Sequence, residues 1–248
     1  MDERRVVVVI EPDKDVCGLL CATLSDAGFT VHSADSGEAG IALVRAKQPD
    51  TVTLDTALPG IDGLEVARRI RRFSHAYLLI LTTSSDLGAT VQAFDAGADD
   101  YVVKPIKPRE LRVRVDGMLR RPRKLIIPPI VTPRVPPVVS PRTRRLHHNG
   151  LEVDAVTRSV RLAGRTLELT RTEFELLRII LEQGNRVVTK AELADHLQLE
   201  DFGPGRPRKV DTDRIIEVHI GNLRRKLGDN ARAPKWLKTV RGLGYTLT

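Results

Sequence analysis

No stretch of this chain is long and apolar enough to span a bilayer, and only five apolar residues follow Met1-Asp2-Glu3-Arg4-Arg5, too few for a secretory signal. A protein that stays in the cytoplasm, with no membrane partner, is therefore expected. Cysteine is nearly absent: Cys17 and Cys21 are the only two in 248 residues. Four apart in a helical pattern, they read as small core fillers, because a zinc or redox site would want more partners. Acidic residues run short in one half. Residues 121–248 hold 14 acids against 25 Lys and Arg, whereas residues 1–120 hold 18 against 15. The basic half is the one to meet nucleic acid. What remains is globular in composition, 41% hydrophobic and 29% charged, with a length sufficient for two domains, each with its own core.

The stretch Thr51 to Gly63, TVTLDTALPGIDG, organises the first half. Thr51 to Leu54 reads as a buried strand that ends on Asp55 and enters a Pro-Gly loop. Taken alone, Asp55 could be a helix or loop cap. Around it, Val6 to Ile10 is a run of β-branched residues typical of a buried parallel strand, followed by Glu11-Pro12-Asp13. Further strands are predicted at 30–34, 77–81 and 99–105; helices are marked by Val16 to Leu24 with a stop at Gly28, by Glu38 to Lys47, by Asp62 to Phe73, by Val91, Phe94 and Ala98, and by Pro108 to about Arg120. Strands alternating with helices in this way imply an α/β fold, a doubly wound five-stranded parallel sheet. In such a sheet the strand ends carrying Glu11, Asp55, Thr82 and Lys104 share one edge. Two acids, a hydroxyl and an ammonium are the set that phosphoryl transfer to Asp55 would want: a carboxylate nucleophile, acids for a divalent cation, and donors for the phosphate oxygens.

These residues also carry a resemblance. LDTALPGIDGLEV, LILTTSSD and GADDYVVKPI are similar to the patterns of the receiver domain of bacterial two-component response regulators, which is flavodoxin-like. The resemblance implies that Asp55 is the phosphoacceptor, that Lys104 contacts the phosphoryl group, that Thr82 and Tyr101 are a switch pair, that Glu11 and Asp55 ligate Mg²⁺, and that Lys104-Pro105 is a cis peptide. The chain departs from the pattern after the first strand, where an acidic pair becomes Glu11-Pro12. Proline offers no side-chain oxygen and Asp13 comes one residue late, so a hard cation loses a ligand and Mg²⁺ binding is expected to be weak or absent. In the relatives most similar to this chain, charged pairs join two copies. Asp100 and Arg114 match one such pair; Glu110 matches another acid, whose usual basic partner falls at Thr90.

From Arg120 to Arg145 the chain reads RRPRKLIIPPIVTPRVPPVVSPRTRR, a semi-rigid proline-arginine tether that separates a domain of residues 1–120 from one of residues 146–248. Beyond it, short strand-like pieces at Leu146, 151–153 and 159–162 turn at Asn149-Gly150 and Ala163-Gly164. Thr170-x-x-Glu173 and Thr189-x-x-Glu192 are capping boxes that open two helices. A third helix is predicted from Asp213 to Leu227. Its core stripe is Ile216, Ile220, Leu223 and Leu227, with Arg214, His219, Asn222, Arg224 and Arg225 on the remaining surface. A short helix followed by one that sets Arg, His and Asn opposite an apolar stripe suits a helix-turn-helix reading the major groove of double-stranded DNA.

LTRTEFELLRIIL, VHIGNLRRKLG and TVRGLGY resemble the winged helix-turn-helix domain of OmpR/PhoB-type regulators. That resemblance implies that Asn222 and Arg224 read bases, that Arg214 and His219 anchor phosphates, and that Thr239 and Arg241 on the wing approach backbone and minor groove. It also implies a dimer on promoter half-site repeats, with RNA polymerase as a partner and a sensor histidine kinase upstream. The insertion Gly203 to Lys209, GPGRPRK, reads as a flexible basic extension toward DNA or polymerase. The expected whole is a DNA-binding regulator rather than an enzyme, with Asp55 phosphorylated poorly or not at all. An ordinary phosphorylation-switched regulator is the alternative. A haloacid-dehalogenase-type phosphatase would want a second carboxylate where Ala57 stands.

Overall fold

The computed structural model describes residues 5–120, 145–197 and 209–248. They form two compact units that divide at Arg120. The proline-arginine tether and most of the Gly203–Lys209 insertion lie outside the described residues.

In the first unit five strands alternate with five helices: β1 (Val6–Ile10), α1 (Lys14–Asp26), β2 (Thr30–Ala34), α2 (Gly37–Lys47), β3 (Thr51–Asp55), α3 (Gly63–Arg71), β4 (Tyr77–Thr82), α4 (Leu87–Asp95), β5 (Asp100–Val103) and α5 (Pro108–Arg120). All strand pairs are parallel, in the order β2-β1-β3-β4-β5. Strands β1 and β4 have no polar face because both sides are covered, and β3 is buried on both faces although one carries Thr51, Thr53 and Asp55. Val7, Val9, Tyr77, Leu79 and Leu81 pack under Leu20 and Leu24 of α1 and Leu111 and Val115 of α5. The alternate residues Val8, Ile10, Val52, Leu54, Leu78 and Ile80 are equally buried. Each such side chain contributes about 1.5–3 kcal/mol by leaving water. This drives the β-branched runs into the middle of the sheet and leaves the strand ends to carry polar groups.

In the second unit, β6 (Arg145–His148), β7 (Leu151–Asp154), β8 (Ser159–Leu162) and β9 (Arg165–Leu167) form an antiparallel sheet. Then come α6 (Arg171–Gln183), β10 (Val188–Thr189), α7 (Lys190–His196), α8 (Lys209–Leu227), β11 (Leu237–Val240) and β12 (Gly244–Leu247). Both capping boxes form in full: Thr170 and Thr189 each accept from the backbone three residues on, and Glu173 and Glu192 return the bond. Strand β12 lies between β10 and β11, and Gly244 is what admits it, since a Cβ there would lie 1.9 Å from the Val188 carbonyl oxygen. Two features differ from expectation. Strands β9 and β10 are too short to register as a pattern, and α8 begins at Lys209, one turn before Asp213, so the insertion ends in helix.

Candidate functional site

The loops after β1, β3 and β5 bring Glu11, Asp55 and Lys104 into one cluster. Lys104 Nζ donates to Glu11 Oε2 at 2.8 Å and to Asp55 Oδ2 at 2.6 Å, while Glu11 and Asp55 are 1% and 3% exposed. Asp55 Oδ1 accepts from the Ala57 amide at 3.0 Å. Gly63 opens α3 against the back of this loop, where a Cβ would lie 2.2 Å from the Asp55 carbonyl oxygen. Burial raises the Glu11 carboxyl above its ordinary value, with Asp55 adding to this and Lys104 opposing it. For Lys104 burial works the other way, but its bonds to Asp55 and Glu11 outweigh it and hold the ammonium above its usual range.

Asp13 is committed elsewhere. Its carboxylate caps α1, accepting from the Asp15 and Val16 amides at 2.9 and 3.0 Å, and its own amide donates to Glu11 Oε1 at 3.2 Å. The oxygens available to a cation are thus those of two carboxylates that share one ammonium, beside a proline with none. Among the described residues no three His, Cys, Asp or Glu side chains gather as a metal site. A hard cation here would have Glu11 and Asp55 as its carboxylates and would complete its oxygen shell with water.

Thr82 is buried at the end of β4, its hydroxyl accepting from the Ser84 amide at 3.1 Å. Tyr101 is half-buried on β5, edge-on to Phe94 with centroids 5.8 Å apart. Lys104-Pro105 is cis. The Asp100–Arg114 pair, expected across two copies, closes within one chain. Arg114 is 7% exposed and donates to Asp100 at 2.7 Å and to Glu110 at 2.9 Å. Arg114 thereby fills the role of the base missing at Thr90, which is itself buried and bonded to the Asp86 carbonyl.

In the second unit the expected DNA-facing surface is redrawn. His219 and Asn222 are 1% and 6% exposed, not on the surface. Other side chains of α8 are tied to neighbouring elements. Lys226 reaches Glu173 of α6 at 2.6 Å, and Lys190 of α7 reaches Glu217 at 2.6 Å. Arg224 donates to the Leu237 carbonyl and Thr239 hydroxyl of β11 at 2.8 and 2.7 Å and lies over the Tyr245 ring of β12. The helix therefore buries a stripe wider than its four apolar positions. Asn222 accepts from Arg225, and Arg224 is bound to the wing hairpin rather than projecting from α8. The outward face holds Arg214, Glu217, Val218, Gly221 and Arg225, with Gly221 opening onto empty space. Glu217, Val218 and Gly221 were missed from the sequence, though they follow Arg214 at i+3, i+4 and i+7, the spacing of one face. On the wing, Thr239 and Arg241 are exposed, as expected, beside Leu243.

Residues 7–116 match the family model described as response regulator receiver domain, and residues 164–247 match transcriptional regulatory protein, C terminal. The response regulator MprA of Mycolicibacterium vanbaalenii is 33% identical over 242 residues, covering 97% of this chain and 96% of that protein. The chain is a response regulator of the OmpR/PhoB type. A probable transcriptional regulator, ycf27, of Guillardia theta is 30% identical over 245 residues, 99% of the regulator and 91% of the relative. A solved structure of a RitR mutant matches with a TM-score of 0.73 at 21% identity, covering 98% of this chain and 99% of that one, a likeness of fold. Response regulators of this class are DNA-binding transcription factors whose receivers typically bind Mg²⁺ in an acidic pocket, and this regulator departs from them at Pro12. Among its described residues, no helix is long and apolar enough to cross a membrane.

Proposed function

We propose that this regulator binds double-stranded DNA sequence-specifically through α8 and the β11–β12 wing, and that its output is set partly or wholly without phosphorylation of Asp55. One observation carries the second half: Lys104 already bridges both carboxylates of the pocket, Pro12 contributes no oxygen, and the acid that follows it, Asp13, is spent capping α1. Lys104 holds Asp55 and Glu11 together, without a third acid to recruit a cation. A conventional phosphorylation-switched regulator served by a sensor histidine kinase is the second reading, favoured by Asp55, Thr82 and Lys104 all standing at strand ends on one edge.

On DNA, Arg214 and Arg225 reach phosphates, Glu217 and Val218 face base edges, and Arg241 approaches the minor groove. Arg224 and Thr239 act as the joint that sets the wing angle. Tandem half-sites bound by two copies, with RNA polymerase as the next partner, complete the reading. The deciding experiment is intact-mass analysis after incubation with Mg²⁺ and an acyl phosphate donor. Little or no phosphorylated species is expected; ready, stoichiometric phosphorylation that disappears in Asp55→Asn would reject phosphorylation independence in favour of the conventional reading.

A further inference from the structure

Cys17 and Cys21 take no part in either site. They lie one turn apart on α1 with Sγ atoms 4.0 Å apart, both half-buried and neither in a disulfide. Residues at i and i+4 share one helical face. Both line a cavity of about 690 Å³ walled also by Glu11, Pro12, Ser33 and Asp35. Gly18 forms part of the same wall and carries no side chain to cover the thiols. The pair packs against the core beneath α1, as its helical spacing suggests, and its other side lines this cavity.

We propose that this cavity is a binding site for a thiophilic metalloid or soft metal ion held by Cys17 and Cys21 together, with trivalent arsenic as the form that suits it best. The spacing supports this first. Two thiolates on one pyramidal trivalent arsenic, with bonds of about 2.3 Å as for other soft thiolate centres, stand roughly 3.4 Å apart, which the pair meets by a side-chain adjustment of about half an ångström. A disulfide needs the gap closed to about 2.05 Å. The donor count comes second: no third Cys, His or acid joins the pair in a metal-binding group among the described residues, so the fitting ligand is one that two sulfurs satisfy. Third, the wall sets Asp35 against Lys14, with Glu11 held by Lys104, so charge does not select the guest and the two sulfurs do.

Condensation of the two thiols with an arsenic oxide needs no redox partner. Two As–S bonds form, the As–O bond breaks, the oxygen leaves as water carrying both thiol protons, and no electrons are transferred. The guest would lie against Glu11, the residue that Lys104 ties to Asp55, giving the first unit an input separate from phosphate.

The test uses the full-length reduced protein with one equivalent of phenylarsine oxide, read by intact mass and by thermal melting. One phenylarsine per chain is expected, released by a small dithiol but not by excess monothiol. Affinity should fall at least about 100-fold in Cys17→Ser and in Cys21→Ser, because each removes the chelate, and both variants should still melt cooperatively. A built site binds the folded chain better than the unfolded one, so the adduct should raise the melting temperature. No adduct, equal affinity in the single-serine variants, or an unchanged or lowered melting temperature would overturn the proposal.

Discussion

Pro12 and Asp13 differ from an acidic pair by one position, and that position decides which backbone groups the acid meets. At 13 the carboxylate falls on the first turn of α1 and satisfies two of its open amides. Pro12→Asp should restore an acid beside Glu11 without disturbing that cap. Phosphorylation of Asp55 by an acyl phosphate with Mg²⁺ is then expected to rise at least about tenfold over the parent, a gain of ~1.4 kcal/mol in transition-state stabilisation, measured as the initial rate of adduct formation by mass. A second residue-scale prediction concerns the turn between β8 and β9. Ala163 there has φ of 49°, a left-handed conformation that costs an L-residue about 1–2 kcal/mol. Ala163→Gly should therefore stabilise the second unit by about 0.5–1 kcal/mol in urea unfolding. The turn itself was legible from Ala-Gly; the strain is a backbone property that residue type alone does not carry.

The helix-turn-helix was legible at the level of elements because capping boxes and an apolar stripe are local patterns. Which flank of α8 meets solvent was not, because that depends on α6, α7 and the wing, which are distant in sequence. An Arg on a helix looks free until the strand that receives it is in place. The distinction can be measured. Arg224→Ala removes two bonds to β11 and should destabilise the second unit by about 1–3 kcal/mol, lowering affinity for specific and random DNA alike. Arg225→Ala removes a bond to the buried Asn222 and should cost about 0.5–1.5 kcal/mol in unfolding free energy, less than Arg224→Ala.

At the start of α7, Glu192 is held down at about 2, first by the Thr189 amide, then by Arg186 and the Thr189 hydroxyl. A depressed carboxyl stabilises the folded state above its unfolded value, and that contribution is lost as pH falls toward the folded one. Amide protection in the first turn of α7 should accordingly persist above pH 4.5 and fade between there and about 2. In Glu192→Gln the fading over that window should be absent.

For the whole molecule, net charge is the property that sequence reports best. The excess of base in residues 121–248 requires that DNA binding release counterions, so log Kd against log salt should be linear and steep. Each phosphate contact removed should flatten the slope by about 0.9, and titrations of the Arg214→Ala and Arg225→Ala variants at several salt concentrations would check this. The parallel sheet was equally plain, since Val6–Ile10 and Tyr77–Leu81 have no polar face to offer water. Charge pairing was less plain: a sequence gives the ions of a pair but not the chain on which each finds its partner. Arg114 answers that for this protein, closing on Asp100 and Glu110 of its own chain. Electrostatic matching is what lets one member of a large family reject its sisters. Were Arg114 to keep these bonds when two copies meet, this regulator would have to be kept apart by the shape of its apolar contacts or by the DNA it recognises, and mixed pairs with relatives are where its signalling would first lose its insulation.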